Sequence, residues 1–339
     1  VKVLVIQTAF LGDVILTLPL IQVLNEKLPD ADIDVVLTPT AAPLMEGHPS
    51  IRSVIRYDKK GSERGWRALV RHVSRIRATR YDVAVVPHRS LRSALLAYLA
   101  SIPVRVGFDQ GAAPWLMTKR VPYQRSAHEA DRNLALVRGL EIEPPPKPRP
   151  LLRPSSADEA RVESFLRSSE LVGRRLVAVA PGSVWFTKRW PEERYSALVK
   201  MIEDAGMSAV MIGGEGDEDV CMNILIRSGA SHSASAAGKF GLLASAALIA
   251  RCRALVTNDS APQHIGVAVG TPVVAIFGAT APVYGFAPYG EKDRVLETTG
   301  LPCRPCAVHG GPTCPIGTFE CMLKISPDRV MEAVVGVAR

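Results

Sequence analysis

An acid, a hydroxyl and a histidine stand close together in Asn258-Asp259-Ser260-Ala261-Pro262-Gln263-His264, between two apolar runs. The pattern predicts a strand, a site, a helix and a second strand. Leu255-Val256 ends the first strand, and Asp259 or Ser260 caps a helix whose first turn includes His264. Thr271-Pro272 then restarts the chain into Val273–Phe277. Backbone N–H groups at such a helix start, together with the positive end of its dipole, favour a phosphate or another anion.

Other strand ends carry similar groups. Gln7–Asp13 joins the run Val3–Ile6 to the apolar stretch Val14–Leu24, so Asp13 falls close to a helix start, where aspartate also serves as an N-cap. Val177–Ala180 runs into Pro181-Gly182-Ser183-Val184-Trp185-Phe186-Thr187-Lys188-Arg189-Trp190, and the next helix starts at Pro191 with Glu192 and Glu193 in its first turn. After Val210–Ile212, Gly213-Gly214-Glu215-Gly216-Asp217-Glu218 forms a tight loop that also has the composition of an ordinary helix start.

The elements that must position these groups alternate. Strand-like runs Val3–Ile6, Ile33–Leu37 and Val83–Val86 are separated by helical stretches at about 14–28, 62–79 and 90–101. The second half repeats the pattern. Strands are expected at Leu176–Ala180, Ala209–Ile212, Ala254–Thr257 and Val273–Phe277, with helices near 191–206, 217–229, 241–252 and 261–269. Between the halves, Pro144-Pro145-Pro146-Lys147-Pro148-Arg149-Pro150 can be neither helix nor central strand and reads as a linker. The expected fold is therefore α/β, with two doubly wound Rossmann-like domains, 1–150 and 151–339, facing a central cleft, the architecture called GT-B. A two-domain dehydrogenase would need a Gly-x-Gly-x-x-Gly turn where this chain has Gln7-Thr8-Ala9-Phe10-Leu11-Gly12-Asp13.

Phe10-Leu11-Gly12-Asp13-Val14-Ile15-Leu16-Thr17-Leu18-Pro19, the Pro181–Pro191 loop and Thr257–Gly278 together resemble glycosyltransferase family 9, the lipopolysaccharide heptosyltransferases, in its heptosyltransferase II type. Ala261 and Gln263 stand where that family more often carries glycine and methionine. The resemblance implies an inverting transferase that moves heptose from ADP-L-glycero-D-manno-heptose to the inner core (Kdo/heptose–lipid A) of lipopolysaccharide. In that reading Asp13 is the catalytic base. The 151–339 domain binds the nucleotide sugar: Ser183 and Lys188 meet the diphosphate with Thr187 beside them, Glu215 the ribose, and Lys239-Phe240 the base, while Asp259, Ser260, Ala261 and His264 complete the donor site. An acceptor hydroxyl attacks poorly until a positioned base takes its proton. Attack from the face opposite the nucleotide inverts the anomeric centre in one step, so one carboxylate suffices. No Asp-x-Asp pair stands where a metal-dependent transferase would need it, and Lys188 with the N–H groups around Ser260 and Ala261 would stabilise the departing diphosphate, so no cofactor or catalytic metal is expected. A family 9 transferase of another sugar, a nonhydrolysing nucleotide-sugar epimerase and a noncatalytic glycan-binding protein are the competing readings.

The formal charge of +8 is confined to one half: residues 1–150 hold 22 Lys and Arg against 14 Asp and Glu, whereas 151–339 hold 19 against 19. Lys59, Lys60, Arg89, Arg92, Lys119 and Arg120, in or beside loops of the first domain, are expected to meet an acceptor rich in phosphate and carboxylate, or else are ordinary surface charge. The basic residues form no nucleic-acid module, so no nucleic-acid partner is expected. His88 follows a strand end, where a lone histidine is more often structural. No apolar run approaches the ~20 residues of a membrane helix, and Val1–Ile6 does not read as a signal peptide. A cytoplasmic enzyme in peripheral contact with the inner face of the inner membrane is expected. Four cysteines, Cys303, Cys306, Cys314 and Cys321, surround His309. Their first spacing suits a metal knuckle and their second is too wide for a zinc ribbon, so a structural metal and reduced thiols packing a loop both stay open.

Overall fold

The computed structural model describes residues 1–59 and 61–338, in two compact units, Val1–Leu151 and Leu152–Arg339. In the first unit the order is β1 (Lys2–Ile6), α1 (Leu11–Ile15), α2 (Leu18–Lys27), β2 (Asp32–Leu37), β3 (Ser53–Arg56), α3 (Trp66–Thr79), β4 (Val83–Val86), α4 (Leu91–Leu99), β5 (Val104–Phe108), β6 (Lys119–Val121) and α5 (Glu129–Ala135). Its six strands pair in parallel in the order β3-β2-β1-β4-β5-β6. Val3-Leu4-Val5-Ile6 is apolar at every position because helices cover both faces of a parallel sheet, and all four side chains are fully buried.

The single helix expected over 14–28 is two helices. Pro19 has no N–H to donate and its ring would clash with the carbonyl of Ile15, so α1 ends and α2 begins with the proline in its first turn. Asp13 consequently lies in the first turn of a five-residue helix.

The second unit continues with α6 (Ser156–Ser168), β7 (Leu176–Ala180), α7 (Glu192–Asp204), β8 (Ser208–Met211), α8 (Glu218–Ser228), β9 (Ala234–Ser235), α9 (Leu242–Ala250), β10 (Ala254–Asn258), α10 (Ala261–Val269), β11 (Val273–Phe277), β12 (Arg294–Glu297), α11 (Glu320–Leu323) and α12 (Pro327–Val337). The sheet order is β12-β11-β10-β7-β8-β9, again parallel throughout. Its core joins Val177, Val179, Val256 and Ile276 of the strands to Trp190, Tyr195 and Leu198 on one side of the sheet. The Pro144–Pro150 segment has no helix or strand.

In each sheet the chain reverses its direction of travel between two central strands, β1 and β4 in the first unit and β7 and β10 in the second. Such switch points open a crevice at the strand C-termini. The loops singled out by sequence leave from these ends: Gln7–Asp13 follows β1, Pro181–Pro191 follows β7, and Asp259-Ser260 follows β10.

Candidate active site

In the second unit the β7 and β10 loops meet. Lys188, at the end of a short 3-10 turn (Phe186–Lys188), places its Nζ 2.6 Å from Asp259 Oδ2. Thr280 Oγ1 donates to the same oxygen at 2.7 Å, and Gln263 Nε2 donates to Oδ1 at 2.9 Å. Asp259 is only 7% exposed. Ser260 is the N-cap of α10 with extended backbone (φ −151°, ψ 175°), but its side chain makes no capping bond. Its hydroxyl turns instead to the carbonyl of Gly182 at 3.3 Å, across the switch point. The α10 start is thus left without a side-chain cap beside a lysine, the arrangement that suits a phosphate.

Two loops hold this centre in place. Asp217, in the β8 loop, accepts the Gly214 N–H at 3.0 Å and lies against Gly182, where an added Cβ would come within 2.4 Å of Asp217 Oδ1. The cysteine-bearing segment braces the other side. Thr187 is buried and exchanges two bonds with Gly311, accepting its N–H at 2.8 Å and donating to its carbonyl at 3.1 Å. Phe186 stacks on Phe319 with centroids 5.3 Å apart. The buried Arg304 side chain donates to the carbonyls of Gly278 (2.6 Å), Thr280 (2.9 Å) and Thr298 (3.2 Å) and pairs with Glu297 at 2.5 Å, which fixes the turn that carries Thr280.

In the first unit, Asp13 Oδ2 accepts the Phe10 N–H at 3.1 Å, and Thr17 Oγ1 donates to the Asp13 carbonyl at 2.8 Å. Across the β1/β4 crevice, Thr8 Oγ1 lies 3.0 Å from His88 Nδ1 and receives Lys59 Nζ at 3.1 Å. Glu129, the first residue of α5, is buried and pairs with Arg132 at 2.7 Å. Arg132 also donates to the Tyr123 hydroxyl at 2.5 Å, and the Arg89 guanidinium lies 3.9 Å above the Tyr123 ring. Burial pushes the Glu129 carboxyl up to about 7; Arg132 pulls it down, the Asp13 charge adds to the rise, and Arg89 opposes it.

That shift has a consequence for stability. The unfolded chain gives up this proton near the ordinary glutamate value, whereas the folded protein keeps it up to about 7, so the contribution is full at acid pH and is lost as pH rises through that window. The melting temperature is expected to fall between about pH 5 and 8, and Glu129→Gln should flatten that part of the profile. Thermal melts followed by circular dichroism test it. A parallel pH profile in the variant would mean that Glu129 is not the source.

A model of glycosyltransferase family 9 (heptosyltransferase) matches residues 69–315. The chain belongs to glycosyltransferase family 9. It is 30% identical to lipopolysaccharide heptosyltransferase 2 of Salmonella typhimurium over 98% of this chain and 97% of that protein. The crystal structure of a family 9 glycosyl transferase from Veillonella parvula superposes with a TM-score of 0.89 at 26% identity, covering 99% of this chain and 97% of the other. ADP-heptose lipopolysaccharide heptosyltransferase II of Escherichia coli superposes with a TM-score of 0.80, also at 26% identity, covering 100% and 98%. The protein is accordingly a glycosyltransferase with the two-domain α/β fold of the GT-B class.

In this family 9 transferase, Lys188, Asp259, Ser260 and Ala261 converge at one strand edge, with Ser183 in the adjoining loop. His264 is buried behind them, 3.5 Å from Gln263 Nε2. Thr187, expected at the diphosphate, spends its hydroxyl on Gly311 and supports the lysine turn instead. Glu215 opens an exposed 3-10 turn (Glu215–Asp217), and Phe240 packs edge-on against Phe165 of α6 with centroids 5.5 Å apart.

The basic set does not form one patch. Lys59 reaches the β1/β4 crevice, Arg89 rests on Tyr123, and Arg92 is spent on the carbonyls of Lys59 (2.8 Å) and Arg64 (3.0 Å). Lys119 and Arg120 lie at the start of the three-residue strand β6, next to a loop and both exposed, and Lys60 lies outside the described residues. Among the described residues, no three His, Cys, Asp or Glu side chains gather with the geometry to hold a metal ion. All six cysteines are free thiols.

Sequence reasoning missed Glu129, Arg132, Tyr123, Thr280 and Arg304. The signal for Glu129 and Arg132 is their i, i+3 spacing at a helix start; Thr280 and Arg304 acquire their roles only through contacts with distant loops.

Gly310 offers a direct test of the brace. Its φ of +87° disfavours any side chain, and a Cβ there would meet Trp185 Cβ at 3.1 Å and both Lys188 Cγ and Thr187 Oγ1 at 3.2 Å. Gly310→Ala is expected to weaken ADP binding by roughly 5- to 10-fold through displacement of Lys188, about 1 kcal/mol of strain passed to the site. Calorimetry with ADP checks it. Unchanged ADP affinity would mean that the segment packs on the lysine turn without governing it.

Proposed function

We propose that this transferase moves heptose from ADP-L-glycero-D-manno-heptose onto the inner core (Kdo/heptose–lipid A) of lipopolysaccharide, with inversion at the anomeric carbon. The observation that carries the reading is the convergence of Lys188, Asp259 and the uncapped start of α10 at the β7/β10 switch point. A lysine and a helix start receive a diphosphate, and a carboxylate beside them receives sugar hydroxyls. The names of the relatives supply the heptose, the ADP and the lipopolysaccharide.

In this mechanism the acceptor hydroxyl gives its proton to Asp13 as its oxygen bonds to the anomeric carbon. The bond from that carbon to the diphosphate breaks on the opposite face, and its electron pair leaves with ADP. Lys188 and the α10 N–H groups take up the charge that grows on the leaving oxygens without rearranging at the moment of reaction. Lys59 and Arg89 at the first unit's strand edge are the groups offered to the anionic acceptor, presented at the inner face of the membrane. No helix among the described residues is long and apolar enough to cross a membrane, which fits a peripheral contact.

The test offers ADP-heptose and other nucleotide sugars against Kdo–lipid A and its singly heptosylated form, with products read by mass spectrometry and the anomeric configuration by NMR. Addition of one heptose with inverted configuration is expected. Transfer only from a different donor, or retention, would overturn the reading.

A further inference from the structure

We propose that Gln263 is a positioning residue for the donor sugar, its side-chain amide aiming Asp259 Oδ1 at a sugar hydroxyl. The inference rests on the heptose-transfer reading and names how that site grips its sugar. A carboxylate has about four lone-pair sites. On Asp259, Oδ2 is filled by Lys188 Nζ (2.6 Å) and Thr280 Oγ1 (2.7 Å), whereas among the described residues Oδ1 holds only Gln263 Nε2 (2.9 Å). The next donor therefore arrives at Oδ1. A sugar hydroxyl can donate there; a phosphate oxygen, which only accepts, cannot.

The glutamine itself calls for an explanation. It is fully buried in α10, and among the described residues its Oε1 has no hydrogen-bond partner. A methionine at this position would fill similar space with nothing left unpaired, so packing alone favours the thioether. What methionine cannot do is donate to Asp259. The bond to Oδ1 is thus the property gained with glutamine, at the cost of a stranded carbonyl oxygen.

Two variants separate positioning from packing. Gln263→Met removes the donor, and Gln263→Glu replaces it by a group that donates only when protonated. The titratable and charged groups facing position 263 are Asp259, Lys188 and His264. Calorimetry is run with ADP and with ADP-heptose from about pH 5 to 8, alongside donor KM, kcat and melting temperature. Gln263→Met is expected to weaken ADP-heptose by about 10-fold, the size of one hydrogen bond, with ADP within about twofold and no loss of melting temperature. Gln263→Glu should lose more at pH 8, where two carboxylates face each other, and recover towards pH 5, where one proton is shared between them. Wild-type protein should show no such recovery. A Gln263→Met protein that keeps the full preference for ADP-heptose over ADP, or that weakens on both equally, would overturn the assignment alone. Wild-type protein that binds ADP-heptose no better than ADP would overturn the heptose reading and this inference together.

Discussion

Asp13→Asn is expected to lower kcat by at least about 100-fold while donor affinity changes by less than about twofold, because the step removed is proton abstraction. The substitution is nearly isosteric. An asparagine oxygen can still accept the Phe10 N–H that Asp13 Oδ2 accepts at 3.1 Å, so the start of α1 is preserved. What it cannot do is take a proton at neutral pH. The expected result is therefore a folded protein that binds ADP-heptose and scarcely turns it over. Turnover near the wild-type rate would return Asp13 to the role of a helix-start residue, the use to which its Phe10 bond already puts it.

The second large effect is expected at the lysine. Lys188→Ala should weaken ADP by about 10- to 100-fold, since a charge-assisted contact to the diphosphate is lost from a site where Lys188 is only 14% exposed. Asp259→Ala should behave differently. In the resting protein its carboxylate holds the ammonium that the diphosphate needs, so on donor binding the diphosphate shares Lys188 Nζ with Asp259. Without Asp259, ADP alone should bind as well as before or better, while the preference for ADP-heptose over ADP disappears. Calorimetry on both ligands resolves the pair. Equal losses on ADP in the two variants would show that Asp259 serves the nucleotide rather than the sugar.

The sequence by itself determined the layers and the reactive strand ends. Near-continuous apolar runs of four or five residues such as Val3–Ile6, Leu176–Ala180 and Val273–Phe277, rich in β-branched side chains, read as strands covered on both faces, and parallel strands must present their following loops at one edge. Once Asp13, Lys188 and Asp259 had been assigned to such loops, their common edge within each unit followed from topology. The short strands Ser53–Arg56, Val104–Phe108, Lys119–Val121, Ala234–Ser235 and Arg294–Glu297 were not legible. Two to five residues with arginine, lysine or serine among them carry no periodic signal, and the ladder to a neighbouring strand is what makes them strands. The break at Leu16-Thr17 was legible in principle from Pro19, yet the apolar run on both sides hid it.

Tertiary structure alone decided the partners. Asp259, just before the N-cap of α10, and Gln263 in its first turn are neighbours by sequence, but no local rule joins Asp259 to Lys188, 71 positions earlier, or to Thr280 in the next loop. The same holds for Thr187, whose type and place suggested a phosphate ligand and whose hydroxyl Gly311 takes from 124 positions away. Arg92 was one basic residue among several until two backbone carbonyls claimed it. Glu129 showed the opposite: an ordinary helix-start acid in sequence, raised to about 7 by burial that only the packed fold imposes. Residue type and spacing fix what a side chain can donate, accept or ionise; long-range packing fixes which of those capacities are already spent and which are left to meet a substrate.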